Sequence, residues 1–506
     1  MKCICLACGL GWLSTATAQS PSLVRPTEAY VEAGAYLVTG AVPFWLRANQ
    51  SGIVPINGST AMVRVGLYGD YRRRQESDSL LPVKRLDWGY GLEVVGRSGL
   101  QTQLQLPEAY LKVRWGPVEL YAGRKRGIVG IVDTLLTSGS YSWSGNAMPL
   151  PKIQLGTMGY VPLGFTHGFV AINALYNHGW FANSFVKGSY LHQKALYIRL
   201  GKETSRVRIY FGGNHEAQWG GYAPSLVGIP GLSDNSDGRF ASDLKAYFRV
   251  ITASYGTGYV PTQGVISIDQ GNRIGNGIGS FDGGIDINLG TSNLLLYRQN
   301  LYETGALFYL TNIIDGLQGI RLQRKPGKGP VTIDRILLEF LSTWSQGGSE
   351  FVIEDPKRRG RNNYFNHSQY QDGWTYLNRT IGTPFLTPQT EVNPALPASR
   401  AIANNRVSLW HLGVSGRIAQ QLQWQSRISY SMNEGTYDIP YPVGTGQLSV
   451  LMKLSGPIQF PGLGRCHIST SVGWDRGKLL SNSVGGYLGL RKSLDNISRG
   501  RPLQKY

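Results

Sequence analysis

The feature that most constrains this chain is an alternation of apolar and polar residues that recurs along most of its length. In residues 422–432, the odd-numbered positions are polar, whereas the even-numbered positions are mostly apolar. The apolar residues are Leu422, Trp424, Ile428, Tyr430 and Met432. A period of two places successive side chains on opposite faces of an extended strand. The alternation therefore predicts long strands that meet a different environment on each face.

Further segments show the same alternation, with charged or polar residues in the second phase: 61–70, 111–115, 196–200, 207–211, 285–289 and 410–415. After residue 20 no run approaches the ~18 apolar residues that a membrane-spanning helix needs. The mean hydropathy is −0.18, which a barrel explains because half of each strand faces a wet lumen. The pattern predicts an all-β, transmembrane antiparallel β-barrel. Composition alone, with 66 glycines and 28 tyrosines, also fits a water-soluble array of β-sandwiches.

The chain divides into four predicted parts. Residues 1–18 combine Lys2, an apolar run and Ala16-Thr17-Ala18, which is typical of a cleaved secretory signal peptide. Export together with the barrel pattern predicts that the protein lies in the outer membrane of a Gram-negative bacterium. Residues 19–58 form an N-terminal segment, either a plug or a first strand. Residues 59–492 form the barrel, with long loops near 219–243 and 351–405, and 493–506 form a polar tail.

The last predicted strand carries a glycine at its third position and apolar residues at its sixth and eighth. This segment, Ser483 to Leu490, has the spacing of the signal read by the barrel assembly machinery. At ~27 residues for each strand and its turn, the chain has room for about 18 strands, and bacterial single-chain barrels have even numbers.

The charge pattern predicts anionic partners. The formal net charge is +19, which in a cell envelope favours acidic glycans or lipopolysaccharide phosphate over nucleic acid. A cation on the lipid face at the bilayer midplane costs ~2–4 kcal/mol, so the basic residues of the polar phase should line the lumen. They are Arg64, Lys112, Arg114, Arg199, Arg208 and Arg427. These cations either pair with luminal carboxylates or create a positive lumen suited to a polyanionic sugar.

Three clusters of aromatic and polar residues are candidates for carbohydrate binding. An aromatic ring offers an apolar face to a sugar's C–H surface, while amides and cations bind hydroxyls and carboxylates. The candidates are Trp143 and Asn146; His178, Trp180, His192 and Lys194; and Arg361, Tyr364, His367, Tyr370 and Trp374. The alternative is structural, as an interface girdle or a packed loop.

Catalytic and metal-binding spacings are missing from the sequence. His215-Glu216 has no second histidine at the metalloprotease offset, no GxSxG elbow occurs, and the seven histidines are scattered. We therefore expect no enzyme activity, no cofactor and no metal.

Several of these segments together resemble the Wzi-type capsule assembly family in its Bacteroidetes-like form. The motifs that carry the resemblance run in order through the mature chain: Ser144–Ile153, Gly179-Trp180-Phe181, Tyr190–Tyr197, Gly212–Gly221, Arg298–Glu303, Asp315-Gly316-Leu317, Glu339–Thr343, Asn363–His367 and Gly373-Trp374. The resemblance implies a barrel of about 18 strands with a periplasmic-side plug, which acts as a surface lectin for capsular polysaccharide. Residues 19–58 depart from it, because they show no convincing amphipathic helix.

These observations lead to one principal expectation and two rivals. We expect a monomeric, non-enzymatic barrel, embedded among outer-membrane lipid and lipopolysaccharide, that binds and helps assemble or retain acidic capsular or other surface polysaccharide. The first alternative is a porin-like channel for anionic oligosaccharides or small solutes. The second is an outer-membrane hydrolase.

Overall fold

The computed structural model describes residues 23–76, 79–82, 85–227, 237–254, 273–303, 305–325, 327–352, 355 and 360–494. The predicted signal peptide and most of the polar tail lie outside the described residues. The barrel strands, numbered β1 to β18, are Thr27–Val38, Thr60–Gly69, Leu86–Ser98, Gln103–Trp115, Val118–Arg124, Lys152–Thr157, Val170–Trp180, Tyr190–Leu200, Val207–Trp219, Asn276–Asn288, Ser292–Tyr302, Gly316–Arg324, Val331–Ser342, Val407–Ile418, Leu422–Asn433, Gly446–Phe460, Gly464–Gly477 and Ser483–Ser493.

These strands form one closed antiparallel ring, which confirms the predicted fold class and strand number. Each strand pairs with its neighbours in sequence, and β18 pairs with β1 in a register that sets Tyr487 opposite Tyr36. Closure leaves no unpaired sheet edge, which is the condition for a sheet to cross a bilayer.

The two ends of the barrel differ in their connections. At one end, the short-turn end, β10 joins β11 through residues 289–291, and β14 joins β15 through 419–421. Both chain ends leave the ring there. At the other end, the long-loop end, β9 joins β10 through 220–275 and β13 joins β14 through 343–406. Outer-membrane barrels have short turns on the periplasmic side and long loops outside the cell.

The outer surface of the ring is apolar where the alternation places lipid contact. On β4, Leu111, Val113 and Trp115 are 65%, 44% and 64% exposed, whereas Lys112 and Arg114 point inward. Lipid around the barrel explains why these large apolar side chains are exposed on its outer surface.

Helix is scarce among the described residues. A single turn, α1, spans Phe44–Arg47 inside the ring, and α2 spans Leu244–Thr252. Asp243 caps α2 by accepting a hydrogen bond from the Ala246 amide at 2.7 Å. Neither helix is long and apolar enough to cross a membrane.

Candidate functional site

Three segments that start at the long-loop end fold back into the barrel and fill it. They are residues 39–59 between β1 and β2, residues 125–151 between β5 and β6, and residues 360–406 between β13 and β14; together we call them the plug. Their largest side chains are wholly buried and join the inward residues of the strands in one hydrophobic core. The interior towards the long-loop end is therefore packed protein.

The plug segments bind one another through buried hydrogen bonds. Trp374 donates its indole N–H to the Ser142 carbonyl at 2.8 Å, and Asn146 donates to the Thr380 carbonyl at 2.9 Å. The Asn49 amide in turn donates to the Asn146 side-chain oxygen at 3.0 Å. Asn146 thus ties the three segments together.

Carboxylates on the barrel wall hold the plug backbone. Asp282, Glu339 and Asp475 accept hydrogen bonds from the amides of Ile131, Ser138 and Phe44, at 2.9, 2.6 and 2.7 Å. A buried amide left without a partner costs ~1–3 kcal/mol, so each contact both satisfies the plug and fixes its position. These inward carboxylates anchor peptide groups instead of pairing with luminal cations.

The deepest part of the plug carries its own charged contact to the wall. Asp133 lies 2.8 Å from the Arg335 guanidinium and 3.9 Å from that of Arg321. Its other oxygen accepts from the Leu136 amide at 2.8 Å. Beside it, Gly413 on β14 packs so closely that an added Cβ would lie 2.8 Å from the Leu136 Cβ.

A further carboxyl, Glu303, contacts two of the plug segments. It lies just beyond β11 and accepts hydrogen bonds from the Tyr141 hydroxyl and, at 3.0 Å, from the Phe365 amide. Burial raises the pKa of the Glu303 carboxyl from 4.5 to about 8. The folded plug therefore binds more protons than the unfolded plug between these two values.

The plug should accordingly lose stability as pH rises from about 4.5 to about 8, and Glu303→Gln should remove that part of the dependence. Hydrogen exchange of residues 360–406 at pH 5 and pH 8, corrected for intrinsic exchange rates, measures it. An identical pH dependence in both proteins would contradict this assignment. The matched control is Glu350→Gln, because Glu350 is an exposed glutamate on the β13–β14 connection, which also contains residues 360–406.

The predicted carbohydrate-binding residues occupy two separate places. Trp143, Asn146, Tyr364, Tyr370 and Trp374 are at most 6% exposed, and the Trp143 and Trp374 rings lie 6.5 Å apart in the plug. The first and third clusters thus meet in a packed interior, while Arg361 is exposed and His367 is half-buried. Their contact with carbohydrate stays a prediction.

The second cluster lies on the outer face of the ring, beneath α2. Tyr247 of α2 stacks on Trp219 at 5.2 Å and has its ring 5.8 Å from that of His178. His192 is completely buried there, Trp180 is 41% exposed, and Lys194 donates to the Ile251 carbonyl. These side chains support a helix on the barrel wall.

The six predicted luminal cations all lie on the inner face of the strands, and their suitability for a polyanionic sugar stays a prediction. Carboxylate partners lie at 2.7–3.4 Å within the described part of the chain for Arg64 with Glu93, Lys112 with Asp70, Arg199 with Glu203 and Arg208 with Asp286. The Arg114 guanidinium lies over the Tyr71 ring at 5.0 Å. The Arg427 guanidinium lies over the Trp45 ring at 4.8 Å and donates to the Leu135 carbonyl at 2.7 Å.

The long-loop end also carries arginine–aromatic pairs that sequence reasoning missed. The Arg239 guanidinium, 64% exposed, lies 5.5 Å from the Tyr222 ring. The Arg406 guanidinium lies 4.0 Å from the Tyr437 ring and 5.3 Å from the ring of Trp344, which is 47% exposed. We call these two groups the rim pairs; Arg361, 5.9 Å from Tyr437, adjoins the second. Partners so far apart in sequence leave no local signal.

Within the described residues, no three histidine, cysteine, aspartate or glutamate side chains come together as a metal site. At the long-loop end, above a filled interior, the geometry instead offers guanidinium groups that lie close to aromatic rings. Each of these guanidinium groups also has a carboxylate neighbour: Asp237 for Arg239, Asp438 for Arg361 and Glu434 for Arg406. Such an arrangement can bind hydroxylated anions by charge-assisted hydrogen bonds and ring contact.

Comparison with solved structures places this architecture among outer-membrane barrels. Wzi of Escherichia coli, described as an outer membrane protein involved in group 1 capsule assembly and a carbohydrate-binding β-barrel, matches with a TM-score of 0.56 at 14% identity. The match covers 92% of this chain and 84% of Wzi. At this identity the likeness shows the fold.

Other outer-membrane barrels match more weakly. OccK5 of Pseudomonas aeruginosa has a TM-score of 0.45 at 9% identity and covers 92% of this chain and 98% of its own. OccAB4 of Acinetobacter baumannii has a TM-score of 0.43 at 9% identity, with 92% and 97% coverage. No family model and no curated protein matches the sequence. Membership of the Wzi-type family stays a prediction.

Proposed function

We propose that this protein is an outer-membrane barrel that binds acidic capsular or other surface polysaccharide outside the cell and helps to assemble or retain it there. The observation that carries the proposal is the filled interior. The wall carboxylates hold the plug by its backbone, which suits a rigid binding platform better than a passage. The fold likeness to a carbohydrate-binding barrel supports the same role.

The rim pairs supply the binding chemistry in this proposal. By the usual orientation of outer-membrane barrels, the long-loop end faces outside. A guanidinium stacked on a ring presents one group for a sugar carboxylate beside another for the sugar's C–H face. Contacts repeated along a polymer give avidity without a deep pocket.

Removing the exposed guanidinium groups should weaken polysaccharide binding. In Arg239→Gln with Arg361→Gln, we expect binding of the purified protein to immobilised polygalacturonate to fall at least ten-fold, with dextran unbound throughout. Arg417→Gln, on the inner wall near the short-turn end, is the matched control. Binding unchanged in the double variant would remove Arg239 and Arg361 from the proposal.

Salt should act on the same interaction. Exposed charges are screened beyond ~10 Å at ~0.1 M salt and beyond ~3 Å at ~1 M, so wild-type binding should fall several-fold between these concentrations. Salt-independent binding would mean that ring contacts and hydroxyl hydrogen bonds, instead of charge, dominate.

A porin-like role for anionic solutes is the second candidate, and it rests on the inner wall. Cations line that wall below the plug, and a passage opened there would select anions. The conductance measurements described in the Discussion separate the two roles.

A further inference from the structure

Beneath α1, on the side of the plug that faces the short-turn end, the lumen contains a cavity of about 240 Å³. We call it the chamber. Its roof is Trp45 and Leu46 of α1, and its walls are the inward side chains of β1, β2, β16, β17 and β18. It lies on the opposite side of α1 from the rim pairs, so a ligand here would be distinct from a surface polysaccharide.

The chamber has an excess of positive charge. Lys453, Arg64, Arg491 and His467 line it, whereas Glu32 is the one carboxylate among the described residues of the lining. Glu32 is already engaged, because it accepts a hydrogen bond from the Tyr487 hydroxyl at 2.7 Å and lies 3.6 Å from Arg64. Little negative charge is left for a further cation.

Among the described cations of the chamber, Lys453 is the one without a carboxylate at ion-pair distance, although Glu32 attracts it from further away. Arg64 has Glu93 at 2.9 Å, and Arg491 has Glu28 and lies over the Tyr30 ring at 3.4 Å. Among the described residues, no carboxylate oxygen comes within ion-pair distance of the Lys453 ammonium. The charged groups around it are Arg427, Arg64 and Glu32, two of which repel it. Two guanidinium groups and one carboxylate that is already engaged act on this ammonium, so the local charge balance favours an anion.

The rest of the lining suits a hydroxylated molecule. Ser455, Ser469 and Ser471 present hydroxyls, and Gln50 reaches in from the plug. The Tyr36 and Tyr487 rings, 4.5 Å apart, form an aromatic wall. Hydroxyls, an amide and rings together match the polar edge and apolar face of a sugar.

We infer that the chamber binds a monosaccharide-sized sugar acid, with its carboxylate on Lys453 and its ring between the serine hydroxyls and the tyrosine pair. We place the chamber's entrance at the short-turn end, because the lining residues His467 and Arg491 lie close to that end of β17 and β18, so the ligand reaches it from the side opposite to the polysaccharide. Arg64 and Arg427 add attraction for the carboxylate without direct contact, since both already have partners.

Calorimetry of the full-length purified protein in detergent tests this inference, with glucuronate, glucose and inorganic phosphate as probes. Glucuronate should bind the wild type and Lys453→Arg, bind Lys453→Gln at least ten-fold more weakly, and compete with salt. Glucose should not bind measurably, since it brings no charge. Lys202→Gln, an exposed lysine on the β8–β9 turn, is the matched control.

Two results would overturn the inference. Equal glucuronate affinity in the wild type and Lys453→Gln, both with normal heat-modifiable migration, would remove the anion contact. Phosphate binding as tight as glucuronate binding would show that the sugar ring contributes nothing. The rim-pair variants leave the chamber intact, so failure here and failure of the proposed polysaccharide binding are separately observable.

Discussion

Shortening the plug tip should turn a silent barrel into an anion-conducting one. The Ser140 hydroxyl bonds the Val129 carbonyl, so the two ends of the tip are adjacent, and two glycines can replace residues 130–139. This change removes Asp133 and every contact of the tip with β10 to β15, and it uncovers Arg321 and Arg335 on the wall. Planar-bilayer recording should show steady, anion-selective conductance in the shortened protein and none in the wild type.

Single substitutions should give a graded version of this effect. Breaking a buried ion pair from one side costs ~3–5 kcal/mol, so Asp133→Ala should show intermittent openings. Asp334→Ala is the matched control, because Asp334 pairs with Arg417 at 2.8 Å and takes no part in the plug. Silence of the shortened barrel would contradict the view that the tip, residues 130–139, closes the lumen.

Trp374→Ala should loosen the plug and leave the barrel intact. Truncating a buried tryptophan costs ~3–5 kcal/mol, and here it also removes the hydrogen bond to the Ser142 carbonyl. The strand ladder does not pass through Trp374, so heat-modifiable migration should be unchanged. Amides of residues 360–406 should exchange with solvent at least 100-fold faster than in the wild type, as measured by mass spectrometry.

Trp410→Ala is the matched control for that experiment. Trp410 is 56% exposed on the outer face of β14, where its loss leaves no internal cavity. Unchanged exchange in Trp374→Ala, or equal acceleration in both variants, would show that Trp374 does not hold the plug.

The barrel could be predicted from the sequence because lipid and lumen impose opposite demands on neighbouring residues. Each strand records that difference in its own alternation, as at Leu111 and Lys112. The same rule explains why the side chains of Arg64 and Arg208 point into the lumen. Short-range patterns of this kind need no knowledge of which strands pair.

The plug and the rim pairs could not be predicted in the same way. Trp374 meets Ser142 across more than 200 residues of chain, and no spacing in the sequence records such a contact. The aromatic clusters could be recognised in the sequence, but the same residue types form rings that pack in an interior and rings that bind a sugar. Helix α2 did leave a signal, since Asp243 precedes apolar Ala246 and Val250 at helical spacing.

The most direct test of the account measures flux and binding in one preparation of proteoliposomes that contain the intact protein. If the plug closes the lumen and the rim pairs bind polysaccharide, labelled polygalacturonate should bind to the long-loop end, while galacturonate oligomers loaded inside should not leak out. Rapid leakage of the oligomers without polymer binding would contradict a closed, polysaccharide-binding barrel and establish a channel.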